Sequence, residues 1–178
     1  MSERIVQKEC TADAYAALRM LQRFGNDAVP LLSMISGLRA SEAIAKDSSH
    51  LTTTVLDKII LDSAHVDFSK LTHAETVQLA KNYAKTLTPK ARTLARADTI
   101  FKQEDALADP SSRMDDFSFY ILAKAAQPIK QNDVRTAIEM RLSTMHLHDV
   151  FNTKAPFPET AGSLAEALKI KPFVFGMS

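Results

Sequence analysis

The side chains that most often carry chemistry are few in this chain and poorly spaced for it. Five histidines are present. His146 and His148 stand two apart, so on a helix they point roughly 200° apart and share no face. His65 and His73 flank a turn with Asp67 between them. A metal there would lack a Cys or a second close carboxylate, and both histidines read as helix-end residues near terminal carbonyls. Glu104–Asp105 and Asp115–Asp116 are adjacent pairs whose carboxylates diverge by about 100° on a helix, too far to share a proton. Asp115 or Asp116 suits a helix start instead. Cys10 is the single cysteine; it excludes an intramolecular disulfide, fits a reducing compartment and reads as inert. Glycine-rich phosphate loops, nucleophile elbows and HExxH are all missing. The sequence therefore assigns no catalytic residue, no metal site and no cofactor, and any enzyme would be a small all-α one with a site built from dispersed residues.

Two other groupings bear on binding. Lys81, Lys85, Lys90, Arg92, Arg96 and Lys102 cluster along the chain against one acid, Asp98. Lys81 and Lys85 are one helical turn apart, as are Arg92 and Arg96. Packed as a hairpin, the two helices would align four charges into a ridge that fits a phosphate backbone. No aromatic is interleaved on that face for base stacking, so sequence reading of single strands or of DNA is not expected. The competing account is a solvated charged face. The second grouping is apolar. Phe173, Val174 and Phe175 close the chain after Pro172 and either fold back or enter a groove on a neighbour. The stretch from Asp116 to Gln127, with Phe117, Tyr120 and Ile121, is apolar nearly all round; such a helix is central in a core or covered by a partner.

Composition sets the frame for these groups. With 178 residues, 46% apolar and 24% charged, the chain fits one globular unit. A net charge of +1 gives no global attraction to nucleic acid or anionic lipid. No apolar run approaches the ~20 residues of a membrane span. MSERIVQKEC has no apolar signal core, and Glu3, Glu9 and Asp13 are unlike a mitochondrial transit peptide. A presequence removed before this numbering starts leaves the mitochondrial matrix open beside the cytoplasm.

The positioning elements are helices. Residues 12–24 form the first, with Thr11 as cap and Gly25 at a left-handed stop. A short helix follows over 28–36, capped by Asp27, tolerant of Pro30 in its first turn and stopped by Gly37. Another spans 38–46. Residues 51–65 mix strand-like propensity with helical spacing of Leu51, Val55, Leu56, Ile59 and Ile60, and are assigned to helix. Thr72 to Glu75 is a capping box for a helix to Leu87. Thr88 and Pro89 open a largely exposed helix to Ala108 with a thin stripe of Ala91, Leu94, Ala95 and Phe101. Helices over 116–127 and 132–148 complete a domain of residues 1–151. Residues 152–178 hold a connector, a capping box at Ser163–Glu166 with its short helix, and the extended apolar tail.

The helices pair as 12–24 with 28–36, 51–65 with 72–87 and 116–127 with 132–148. The fold expected is all-α: an irregular helical bundle or a short, solenoid-like array of α-α hairpins. Within it FSKLTHAETVQLAKNYAKT, through Leu71, Thr72, Glu75, Leu79, Ala80 and Ala84, resembles one hairpin of the heptatricopeptide- and octotricopeptide-type repeats. The likeness covers about residues 68–86 and implies an organellar protein that acts on RNA or serves as a scaffold subunit. Together these readings point to a non-catalytic structural or adaptor subunit of a multiprotein or ribonucleoprotein assembly. Other protein subunits are the expected partners, and RNA contact through residues 81–102 is the alternative.

Overall fold

Apolar residues returning every third or fourth position dictate rods, and rods are what form. The structure, a computed structural model, describes residues 3–103 and 114–126. Among them are six α-helices and no strand: α1 (Glu3–Phe24), α2 (Val29–Ala45), α3 (Thr53–Asp62), α4 (His73–Leu87), α5 (Ala91–Phe101) and α6 (Asp116–Ala126), with 3₁₀ turns at Gly25–Ala28, Ser48–His50 and Phe68–Lys70. The all-α class is thereby established. The helix expected over 132–148, the capping box at Ser163–Glu166, the tail residues Phe173, Val174 and Phe175 and the boundary near 151 lie outside the described residues.

Several boundaries differ from expectation for identifiable reasons. The first helix begins at Glu3, because Val6 and Cys10 continue the buried stripe of Ala14, Ala17, Leu18 and Leu21 by one more turn at each step. Thr11 is thus interior to the helix, and its hydroxyl donates back to the Gln7 carbonyl at 2.8 Å. Gly25 does take the left-handed conformation, φ +55°. Pro30 sits in the first turn of α2, but Ala28 occupies the N-cap and Asp27 makes no cap bond there. Gly37 does not stop that helix; it is buried within it. An added Cβ would meet the Lys124 backbone carbonyl at 3.2 Å, so the missing side chain serves the approach of α6 rather than a chain reversal. Thr88 likewise ends α4 instead of starting α5, its hydroxyl donating to the Ala84 carbonyl at 2.6 Å. Lys90 is the N-cap of α5, and that helix ends at Phe101, short of Ala108. Its buried face is Leu94, Ala97, Ile100 and Phe101, with Ala91 and Ala95 exposed.

The principal packing partners are not sequence neighbours. α1 packs most extensively on α4, α2 on α6 and α3, and α1 also on α3. Fully buried alanines at 14 and 17 in α1, and at 80 and 84 in α4, keep that seam close. Gln22 bolts it, donating from Nε2 to the Leu71 carbonyl and to Thr76 Oγ1, both at 2.9 Å. At its end Tyr15 meets His73 edge-on, hydroxyl to Nδ1 at 3.3 Å. α6 packs on α2 and α5 and is buried on more than one side: Phe119 and Ile121 are entirely buried.

The capping box at the start of α4 forms as read: Thr72 Oγ1 accepts from the Glu75 amide, and Glu75 Oε2 accepts from the Thr72 amide at 2.8 Å. Thr72→Ala should therefore cost about 1 kcal/mol of unfolding free energy, and Thr72→Ser should retain most of it. Urea denaturation of the three chains measures this; an alanine variant as stable as the parent would refute the assignment.

Candidate functional site

A polar cluster that the sequence reading did not single out lies at the crossing of α2, α3 and α6. Each helix supplies two residues about one turn apart: Ser33 and Ser36, Thr53 and Asp57, Tyr120 and Lys124. Asp57 and Lys124 are 0% exposed and Tyr120 is 1% exposed. Lys124 Nζ stands 3.0 Å from Asp57 Oδ1, which also accepts from Ser36 Oγ at 2.7 Å. Tyr120 donates its hydroxyl proton to Asp57 Oδ2. Lys124 reaches Ser33 Oγ at 3.4 Å, and Thr53 Oγ1 donates to the Ser36 carbonyl at 3.2 Å. Burial, reinforced by the Asp57 charge, pushes the Tyr120 phenol well above its ordinary value. An amine, a carboxylate and a phenol are the parts of a proton-transfer or imine-forming centre. Here solvent reaches neither end of the ion pair, and every partner is a group of this chain. As it stands the cluster joins three helices.

The sequence held a signal for it. Asp57 and Lys124 are charges set inside apolar runs, TTTVLDKIIL and FYILAKAA. Lys124 interrupts an otherwise apolar run, and the sequence alone does not separate Asp57 from its neighbour Lys58. Register decides between those two. Asp57 points inward, while Lys58 turns to the Asp62 carboxylate, which also accepts from Tyr83 at 2.6 Å.

The anticipated basic ridge is present as six exposed side chains, but not as one ridge. α4 packs on α1 and touches α3, whereas α5 packs on α6, α2 and the Ser48–His50 turn. The hairpin that would align the charges is not built, because each helix buries its stripe against a different neighbour. Carboxylates also take part of the charge. Lys90 stands 3.6 Å from Glu3, Arg96 stands 2.8 Å from Asp115, and Lys102 favours the charged form of Asp47 behind the stronger Ser49 hydrogen bonds. Asp98 is committed to Ser48, accepting from its amide at 2.8 Å and its hydroxyl at 2.9 Å. Lys81, Lys85 and Arg92 make no ion pair among the described residues.

The residues of α6 proposed for docking are covered within the chain itself: Phe117 is 9% exposed, Tyr120 1% and Ile121 0%. Of the two accounts open to an all-apolar helix, the core holds for them. Cys10 is wholly buried, its thiol directed at the Leu51 carbonyl and pushed up to about 12 chiefly by desolvation. Among the described residues, no group of three His, Cys, Asp or Glu is disposed to hold a metal. His65 and Asp67 instead line an open cleft of about 370 Å³ between the end of α1 and the α3–α4 connection. Two of its polar groups are engaged elsewhere, Gln22 as above and Asp67 with the Ser69 amide.

Apolar surface is exposed elsewhere. Leu31, Met34 and Leu38, on one face of α2, are 45, 56 and 55% exposed. The sequence reading ends one helix at Gly37 and starts another at Leu38, so the three do not fall on one face until α2 runs through Gly37. Among the described residues no helix is long and apolar enough to cross a membrane. Comparison with protein-family models, with curated proteins and with solved structures finds no match.

Removing Lys124 alone would leave a buried carboxylate without its counter-ion. Lys124→Met should cost roughly 3–5 kcal/mol, and Lys124→Met combined with Asp57→Asn should cost less than Lys124→Met alone, because no buried charge remains. Urea unfolding of the single and double variants decides it; losses that simply add would show that the two groups do not interact.

Proposed function

We propose that this chain is a non-catalytic helical subunit or adaptor of a larger multiprotein or ribonucleoprotein assembly. The observation that carries the reading is the half-exposed apolar row on α2. Among the described residues Ile5, Phe24 and Val66 are exposed to a similar degree, but Leu31, Met34 and Leu38 alone align along one helix face, which suits contact with a partner. Consistent with it, among the described residues Asp57, Lys124, Tyr120 and Cys10 are closed off from solvent within the chain. The likeness of residues 68–86 to organellar helical hairpins supports an organellar assembly, with the mitochondrial matrix as the first compartment to examine beside the cytoplasm.

Sedimentation of a native extract tests this directly. The chain should run with a particle well above its own 19.6 kDa, and ribonuclease treatment then separates a ribonucleoprotein from a purely protein assembly. A chain that sediments wholly as a monomer would end the proposal.

One observation favours a second reading. Lys81, Lys85 and Arg92 remain exposed and free of ion pairs among the described residues, which suits contact with an RNA backbone. On this reading Lys85→Glu with Arg92→Glu weakens binding to single-stranded RNA and lowers the slope of log affinity against log salt by about 1.4, at ~0.7 for each lost phosphate contact. Absence of RNA binding at low salt, or an unchanged slope, eliminates it.

A further inference from the structure

We infer that the outer seam between α1 and α4 is a track for an unpaired nucleic acid strand. Arg4, Lys8 and Arg19 on one side and Lys81 and Lys85 on the other take the phosphates, and the His73 ring, held by Tyr15, stacks on a base. The contact face of the RNA reading, on which this rests, moves from α4 and α5 to α4 and α1.

Two sets of contacts show how the helices run. Gln22, near the end of α1, bonds to Leu71 and Thr76 at the start of α4. Glu3, at the start of α1, lies beside Lys90 and Ala91, beyond the end of α4. The two helices are therefore antiparallel. Tyr15 and His73 touch across the seam on the side away from α3. Tyr83, which bonds Asp62 of α3, lies about 80° round α4 from His73 in one direction, and Lys81 lies about 80° in the other. Lys85 follows at about 120°. On α1, Arg4, Lys8 and Arg19 all fall within about 40° of Tyr15. All five cations are exposed. The buried alanines of the seam bring the two rows onto one strip, which runs about 22 Å from Arg4 to Arg19.

Charge on this strip is uncompensated. None of the five makes an ion pair among the described residues, and Arg19 donates to the neutral Gln22 Oε1 at 2.7 Å. The carboxylates of α1 and α4 are engaged or point elsewhere. Glu3 lies beside Lys90, Asp13 holds Arg39 and Glu75 closes its capping box. Glu9 is about 120° round α1 from Tyr15. The rest of the chain is poorly suited to cover the strip. Residues 127–178 hold six bases against five acids. The acidic stretch 104–109 joins the end of α5 to the approach to α6, and those helices pack on each other and on α2.

Aromatic chemistry selects a single strand among polyanions. Such strands are bound by cations that follow the backbone together with rings that stack on bases. The basic face of residues 81–102 has no such ring. Here α1 supplies Tyr15, one turn from Arg19, and its ring meets that of His73 at 86° with centroids 5.9 Å apart. The exposed His73 ring is thereby fixed beside the cations.

Fluorescence anisotropy of the full chain with labelled oligouridylate, oligothymidylate and duplex RNA tests the assignment. At low salt the oligouridylate should bind more tightly than the duplex. Arg4→Glu with Lys8→Glu should weaken that binding at least tenfold and lower the slope of log affinity against log salt by about 1.4, at ~0.7 for each lost phosphate contact. Lys81→Glu alone should give about half that fall in slope, and serves if the α1 pair disturbs folding. Lys46→Glu with Lys102→Glu, the same change of net charge away from the strip, should leave the slope unchanged. His73→Ala should weaken binding several-fold and His73→Phe should restore it. Equal losses in the two double variants, tighter binding to the duplex, or binding to phosphatidylserine vesicles but to neither strand would overturn the inference. Oligothymidylate bound in place of oligouridylate would keep the strip and sink the RNA reading. Oligouridylate binding that falls with Lys85→Glu and Arg92→Glu, yet is indifferent to Arg4→Glu and Lys8→Glu, leaves the RNA reading standing and only the face wrong. No binding of any strand ends both.

Discussion

Lys124 cannot enter the interior unaccompanied, and most of what joins α2, α3 and α6 follows from that constraint. Taking an ammonium out of water costs several kcal/mol even after the protein relaxes around it. Asp57 offsets that cost only when its carboxylate is as deeply buried and its own lone pairs are filled, which is what Ser36 and Tyr120 do. The result is a pairing with little freedom of register. Sliding α6 by one residue would carry Lys124 about 100° around its axis and leave two buried charges apart. Apolar side chains of similar volume could match the stability of the pair; what the charges add is a set of directional contacts among three helices, Lys124 to Asp57, Ser36 to Asp57 and Tyr120 to Asp57.

Close packing works in the same place and the same direction. Gly37 lets the backbone of α6 come within reach of α2 at the residue that carries the buried amine, since a Cβ there would press on the Lys124 carbonyl. Without that approach Lys124 would sit further from Ser33, and without the ion pair the close approach would have no fixed register. On the other side of the molecule the seam between α1 and α4 uses alanines for proximity and Gln22 for register. Both interfaces join helices distant in sequence, so the turns between neighbours mainly have to reach, not to align.

This division explains what could be read in advance. Helix identity was legible wherever local chemistry set it: the Thr72–Glu75 box, the left-handed Gly25, Pro30 in a first turn, the stripe of α3 against its strand-like composition. Partner choice was not. Gly37 looks like a stop from sequence because glycine is poor in helices, and only the presence of α6 gives it another purpose. Thr88 has the residue type of an N-cap, yet its hydroxyl serves the carbonyl behind it. The basic residues from Lys81 to Lys102 were legible as charges but not as a surface, because their common alignment depended on a hairpin that α4 and α5 do not make. Asp57 and Lys124 were visible only as interruptions, since nothing in either run names the other.

Apolar periodicity has a related limit, and α2 and α6 mark its two ends. α6 carries the stronger apolar signal and spends it inside the protein, where Phe119, Tyr120 and Ile121 meet neighbours of the same chain. α2 carries a weaker one, divided between a buried face and the row of Leu31, Met34 and Leu38. Hydrophobicity along the chain reports how much a segment gains by leaving water; it does not report which molecule supplies the cover. That depends on where the other helices stand, and on this fold α3 and α6 occupy one side of α2. Which side of α2 stays exposed thus depends on the same buried ion pair between α3 and α6, since moving α6 would change which side of α2 is taken.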